Sequence, residues 1–94
     1  MSDRPQIEDP NWRPARVSDV EINEVADGYI VYHRAVDKVH YLNHTAAILL
    51  ELCNGNSSLA ELPELLRQAF DLSAPPAAEV RDCLDQLMKE GLIR

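Results

Sequence analysis

Residues 37–55, DKVHYLNHTAAILLELCNG, join a short run of β-branched and aromatic residues to a nearly all-apolar helical segment. Asn43 is a good N-cap between the two, because its side-chain oxygen can accept a backbone N–H of the first helical turn. Gly55 can adopt the left-handed conformation that ends a helix. The apolar positions cover more than one stripe, so this helix is predicted to form the centre of the domain. They are Ala46, Ala47, Ile48, Leu49, Leu50, Leu52 and Cys53.

On the N-terminal side, the pattern predicts three short antiparallel strands. VSDVEINEV alternates loosely, Asp27 and Gly28 give a turn, and YIVYHR with KVHYL is typical of a hairpin. With residues 35–37 as its loop, Tyr32 pairs with His40 and Ile30 pairs with Leu42.

This register places Val31, His33, Val39 and Tyr41 together on the opposite face of the hairpin. Both faces of the sheet then carry apolar side chains. Such a pattern indicates that something else contacts the sheet, although ordinary partial exposure of Val and Tyr explains it equally well.

Two further helices follow on the C-terminal side. The first opens with a capping box, Ser58 to Glu61, and Pro63 means that it either begins near Leu62 or has a distorted first turn. The last helix follows two prolines and ends at Gly91. Its inward stripe is Val80, Leu84, Leu87 and Met88, with Cys83 beside them. The predicted fold class is α+β, winged helix-turn-helix-like, with three short N-terminal antiparallel strands followed by three helices.

Length and charge limit the function classes. The 94 residues suffice for one small domain, and 9 Lys and Arg against 16 Asp and Glu give a net charge of −7. This charge repels phosphate backbones, so nucleic acid is a poor candidate partner.

No stretch approaches the length of a membrane span, and the two cysteines are typical of buried thiols in a reducing compartment. We expect a cytoplasmic protein with a flexible arm over residues 1–16 and a domain over residues 17–94. Trp12 could dock on the body or on a partner.

Catalytic and metal-binding motifs are missing from the sequence. It contains no phosphate-binding loop, CxxC pair, HExxH motif or Ser/His/Asp constellation. His33 and His40 fall on opposite faces of the predicted hairpin, and neither they nor His44 have standard zinc spacing. We therefore predict a protein that is not an enzyme and uses no cofactor or metal.

Three segments together resemble a known family. DKVHYLNHTAAILLELCNG, SLAEL and EVRDCLDQLMKEGLI are similar to the PqqD family, which is named for pyrroloquinoline quinone biosynthesis. Members are counted among the recognition elements of ribosomally made, modified peptides (RiPPs). The resemblance implies a peptide chaperone that binds the leader of a precursor peptide and presents it to a modifying enzyme, commonly a radical SAM protein.

In the family, the leader adds as a strand to the edge of the third strand, in a groove walled by the last helix. Carried onto this chain, the strand side is Lys38, Val39, His40, Tyr41 and Leu42. The helix side is Arg81, Asp82, Asp85, Met88 and Lys89. Their mixed charges predict a leader with acidic and basic residues around an apolar anchor.

Two alternatives remain at this stage. A DNA-binding winged helix shares the fold class, but neither late helix brings several basic residues together. A structural or dimerising subunit of a larger enzyme would use the same strand edge as the seam of a homodimer.

Overall fold

A computed structural model describes residues 9–94 and shows three antiparallel strands followed by three helices, so the predicted α+β class is confirmed. The elements are β1 (Val20–Val25), β2 (Gly28–His33), a 3-10 turn (Arg34–Val36), β3 (Lys38–Leu42), α1 (His44–Leu52), α2 (Leu62–Phe70) and α3 (Ala77–Lys89). The strand order is β1-β2-β3, which makes β1 and β3 the edge strands. The comparison with winged helices stays a prediction.

The core lies between one face of the sheet and the three helices. α1 contacts α2, α3, β2 and β3, which confirms its predicted central position. The predicted inward stripe of α3 is confirmed for Val80, Leu84 and Leu87, each at most 1% exposed, while Met88 is half-buried against the core. The other buried apolar residues are Val31, Leu42, Ala47, Leu49, Leu50, Cys53, Leu59, Leu62, Leu66, Leu92 and Ile93.

The register of the β2–β3 hairpin differs from the prediction by one residue. Tyr32 pairs with Val39, and Ile30 pairs with Tyr41. The loop has four residues because the 3-10 turn is followed by Asp37 in the left-handed conformation, with φ 55°. The predicted pairs Tyr32–His40 and Ile30–Leu42 were therefore wrong.

A register shift of one residue exchanges the two faces of a strand. His40 and Leu42 are the partners of β2 residues that face the core, so their side chains lie on the inner face of the sheet. Val39 and Tyr41 lie on the outer face, where both are more than half exposed. Both faces of the sheet do carry apolar side chains, as predicted, but Val39 and Tyr41 do not share a face with Val31 and His33.

The predicted helix signals are largely confirmed. Asn43 caps α1, because its Oδ1 accepts the Ala46 N–H at 2.9 Å. α2 begins at Leu62, with Pro63 in its first turn. Of the two predicted alternatives, the start near Leu62 is therefore the one observed. Glu61 Oε1 accepts the Ser58 N–H at 2.8 Å, one of the two bonds of a capping box.

Part of the segment expected to be a flexible arm packs against the domain. Residues 1–8 lie outside the described residues, but Trp12 packs on the core and its carbonyl accepts the Leu59 N–H at 2.7 Å. The Arg16 N–H donates to the Cys53 carbonyl at 2.8 Å. These backbone bonds hold residues 12–16 in place where few apolar side chains are available to do so. Trp12 thus docks on the body, and the division of the chain at residue 17 stays a prediction.

Candidate functional site

A groove of about 520 Å³ lies between the end of β3, the first turn of α1 and one face of α3. Its lining includes the apolar residues Leu42, Ala46 and Leu87, one from each of these three elements. The groove follows α3 from Glu79 to Glu90. At about 1.5 Å of rise per helical residue this is about 16 Å, the length of about five residues of extended chain.

The wall on the sheet side is β3, whose outer edge pairs with no other strand within residues 9–94. The Arg34 N–H donates to the Asp19 carbonyl at 2.9 Å, so even-numbered residues of β2 direct their backbone groups towards β1. The odd-numbered residues of β2 then pair with Lys38, His40 and Leu42 of β3. By the alternation of antiparallel pairs, the N–H and C=O groups of the two remaining central residues of β3 point to the free edge.

Those two residues are Val39 and Tyr41, and their side chains stand on the outer face of the sheet. Val39 is 63% exposed and Tyr41 is 57% exposed. The Tyr41 hydroxyl donates to the Asp27 carbonyl, so the ring reaches across β2 above Gly28. This contact holds β3 against β2, and no strand in the described part of the chain pairs with the other edge of β3.

α3 supplies a polar wall. The groove-lining residues of α3 and its C-cap are Glu79, Asp82, Cys83, Gln86, Leu87 and Glu90. Asp82 was predicted from the sequence, whereas the other polar members were missed. Their spacing of three or four residues is the signal that places them on one helical face.

Several predicted site residues lie away from this groove. Arg81 lines a separate groove together with Leu59 and Pro63. Asp85 Oδ2 and Lys89 Nζ form an ion pair at 3.3 Å, and neither residue lines the first groove. Among the predicted residues, Tyr41, Leu42 and Asp82 do line it.

The remaining predicted residues reach the groove indirectly or face elsewhere. Lys38 and Val39 are exposed on β3, and Met88 packs against the core. His40 does not line the groove, but its Nδ1 lies 3.7 Å from Oε1 of the groove residue Glu90. Any role of these residues in binding stays a prediction.

The His40–Glu90 contact is longer than a hydrogen bond. His40 Nε2 and Glu90 Oε1 are buried and have no hydrogen-bond partner within residues 9–94. The other carboxylate oxygen of Glu90 accepts a hydrogen bond from Gln86 Nε2 at 2.9 Å. Glu90 is therefore oriented by its own helix.

The histidines do not lie as predicted. His33 and His40 share the inner face of the sheet instead of facing opposite ways, because of the corrected register. Even so, no group of three or more His, Cys, Asp or Glu side chains in residues 9–94 is arranged to hold a metal ion.

The cysteines are free thiols in apolar surroundings. Burial raises the pKa of Cys53 to about 12. Burial, followed by the charge of Glu90, raises the pKa of Cys83 at the groove to about 11. Both groups stay protonated at neutral pH, and a protonated thiol is a poor nucleophile.

Within residues 9–94, no helix is long and apolar enough to cross a membrane.

Comparison with known proteins identifies the family. The model of coenzyme PQQ synthesis protein D (PqqD) matches residues 28–93, from β2 to the end of the core. The chain belongs to the PqqD family. A PqqA binding protein of Methylococcus capsulatus (strain Bath) is 38% identical over 53 residues, or 56% of this chain. The match spans 56% of the length of that relative. The search of solved structures gives no match.

The groove lies entirely within the part of the chain that matches the PqqD family. Its three walls, β3, α1 and α3, all fall inside residues 28–93. The docked segment around Trp12 precedes the matched region.

Proposed function

We propose that this chain is a non-catalytic peptide chaperone of pyrroloquinoline quinone biosynthesis or a related peptide pathway. It binds the leader of a ribosomally made precursor peptide by strand addition to β3 and delivers it to a modifying enzyme of the radical SAM class. Membership of the PqqD family and the relative named as a PqqA binding protein support a peptide partner. The observation that carries the proposal is the outer edge of β3, unpaired within residues 9–94, whose C-terminal end borders a groove about five extended residues long.

Strand addition explains how such a domain can bind peptides without an enclosed pocket. The outward N–H and C=O groups of Val39 and Tyr41 pair with the backbone of the added strand, which gives affinity that depends little on sequence. Successive side chains of that strand alternate between the two faces of the sheet. One set lies beside Val39 on the outer face, and the other set enters the groove next to Leu42, where selection takes place.

A pair of proline substitutions tests this geometry. Proline is tolerated in an edge strand where the missing N–H faced outwards. Val39→Pro removes an outward N–H of β3, and Glu24→Pro is the matched control because its N–H faces the free edge of β1 by the same alternation. The loss of one net hydrogen bond, together with the proline ring at the edge, is expected to weaken peptide binding by about fivefold or more.

The assay is an NMR titration of the labelled variants with the PqqA peptide, preceded by a circular dichroism melt to show that each is folded. Val39→Pro should bind more weakly than both the wild type and Glu24→Pro. Amide shifts in the wild type should concentrate on β3 and on the groove face of α3. Unchanged affinity in a folded Val39→Pro variant would exclude addition at this edge.

The free edge of β3 also fits a second copy of the chain, which is the basis of the structural or dimerising alternative. Light scattering with and without saturating peptide separates the two functions. A dimer that dissociates as peptide binds would favour leader binding at β3, whereas a dimer that survives saturating peptide would favour the structural or dimerising subunit. The DNA-binding alternative is disfavoured by the net charge of −7, and a gel shift at low salt tests it.

A further inference from the structure

The charged residues of α3 are separated by face. Glu79, Asp82 and Glu90 line the groove, and within residues 9–94 no lysine or arginine lines it. The two basic residues of α3 lie elsewhere: Arg81 lines the separate groove, and Lys89 pairs with Asp85. The sequence predicted a leader of mixed charge because it placed both of these residues on the groove wall. Because Arg81 and Lys89 do not line the groove, the charged residues of its α3 wall are all acidic.

Within residues 9–94, two of the three carboxylates make no polar contact with another side chain. Glu90 is hydrogen-bonded to Gln86, but Glu79 and Asp82 make no hydrogen bond or ion pair within the described residues. Glu79 stands in the first turn of α3, where the helix dipole favours an acidic side chain. Asp82 lies beyond that turn, and the dipole effect falls off there. Its position on the groove therefore has no explanation from the helix alone.

We propose that the groove selects extended peptides in which a lysine or arginine lies two positions from an apolar residue, so that both side chains face the groove. This inference rests on the proposed function and specifies the ligand of the same site. Side chains at alternate positions of a strand added to β3 face the groove. There the apolar side chain meets Leu42 and Leu87, and the cation lies between Glu79 and Asp82, which are one helical turn apart.

The size of the effect follows from the exposure of both carboxylates. An exposed ion pair contributes little to the free energy of binding. Removing one carboxylate should therefore weaken peptide affinity by about two- to fivefold. The double variant Glu79→Gln/Asp82→Asn is therefore expected to bind a cationic peptide about five- to twentyfold more weakly. Because exposed charges are screened by salt, the difference should shrink as the salt concentration rises.

The test uses a display library of random twelve-residue peptides, so that it does not depend on knowing the natural precursor. Three proteins are compared: the wild type, Glu79→Gln/Asp82→Asn, and the control Glu24→Gln/Glu51→Gln. The control makes the same change in net charge at exposed positions outside the groove. Peptides selected by the wild type are then measured by fluorescence anisotropy against each protein at low and high salt.

The wild type and the control should select lysine or arginine two positions from an apolar residue, and the groove variant should lose this preference. If the selected peptides bind equally well to the groove variant, or carry no excess of basic residues, the inference is overturned while peptide binding stands. If no peptide is enriched on the wild type and the PqqA peptide also fails to bind, the proposed function itself is overturned.

Discussion

A methyl group added at Gly28 is expected to disturb β3, the edge strand that we propose as the docking strand. A Cβ atom there would stand 2.6 Å from Tyr41 Oη and 2.7 Å from the Leu42 carbonyl oxygen. The tyrosine ring could swing away, but only by giving up its hydrogen bond to the Asp27 carbonyl. The Leu42 oxygen belongs to the β3 backbone, so relieving that contact requires β3 to move away from β2.

The magnitude follows from these two contacts. Overpacking of this kind costs about 1–3 kcal/mol, and losing the Tyr41 hydrogen bond adds about 0.5–1.5 kcal/mol. We therefore expect Gly28→Ala to lower the free energy of unfolding by about 2–4 kcal/mol. With an unfolding entropy of about 2.1 cal/mol/K per residue, the melting temperature of this chain should fall by about 10–20 °C.

Urea unfolding and thermal melts of four proteins measure this: wild type, Gly28→Ala, Tyr41→Ala and the double variant. The sign of the change is decisive, since a Gly→Ala substitution with free space around it stabilises a protein by about 0.4–1 kcal/mol. In the Tyr41→Ala background the cost of Gly28→Ala should be smaller, because only the Leu42 contact remains. A stabilised Gly28→Ala variant, or an equal cost in both backgrounds, would refute the packing of Tyr41 over Gly28.

Two other predictions concern the residues that flank α1, its N-cap Asn43 and its C-cap Cys53. Asn43→Ala should lower the free energy of unfolding by about 1 kcal/mol, or the melting temperature by about 5 °C, because the Ala46 N–H loses its acceptor. Asn43→Ser should keep most of this stability, because a serine hydroxyl can also accept that hydrogen bond. Burial raises the pKa of Cys53 from 9.0 to about 12, so its protonated thiol contributes stability below pH 9 that is lost as the pH rises towards 12. In urea titrations at increasing pH, the stability advantage of the wild type over Cys53→Ala should narrow, and a constant difference would contradict the raised pKa.

Features set by short stretches of sequence were predicted well. The cap at Asn43, the apolar stripe of α3 and the bounds of β3 all depend on residues within a few positions of one another. Long-range contacts were not predictable in this way. The docking of Trp12 rests on a backbone bond to Leu59, and no local pattern encodes that pairing.

The candidate site was predicted only in outline, and the reason is the loop between β2 and β3. Asp37 adopts a left-handed conformation, which aspartate tolerates better than most residues, and this lengthens the loop to four residues. The extra residue turns Val39 away from the core face and brings Leu42 into the groove. Edge pairing does not depend on which way a side chain points, so β3 remains the predicted docking strand. Selectivity does depend on it, so under the proposed function we expect the residues that choose the peptide to be those of the inner face and of the acidic side of α3.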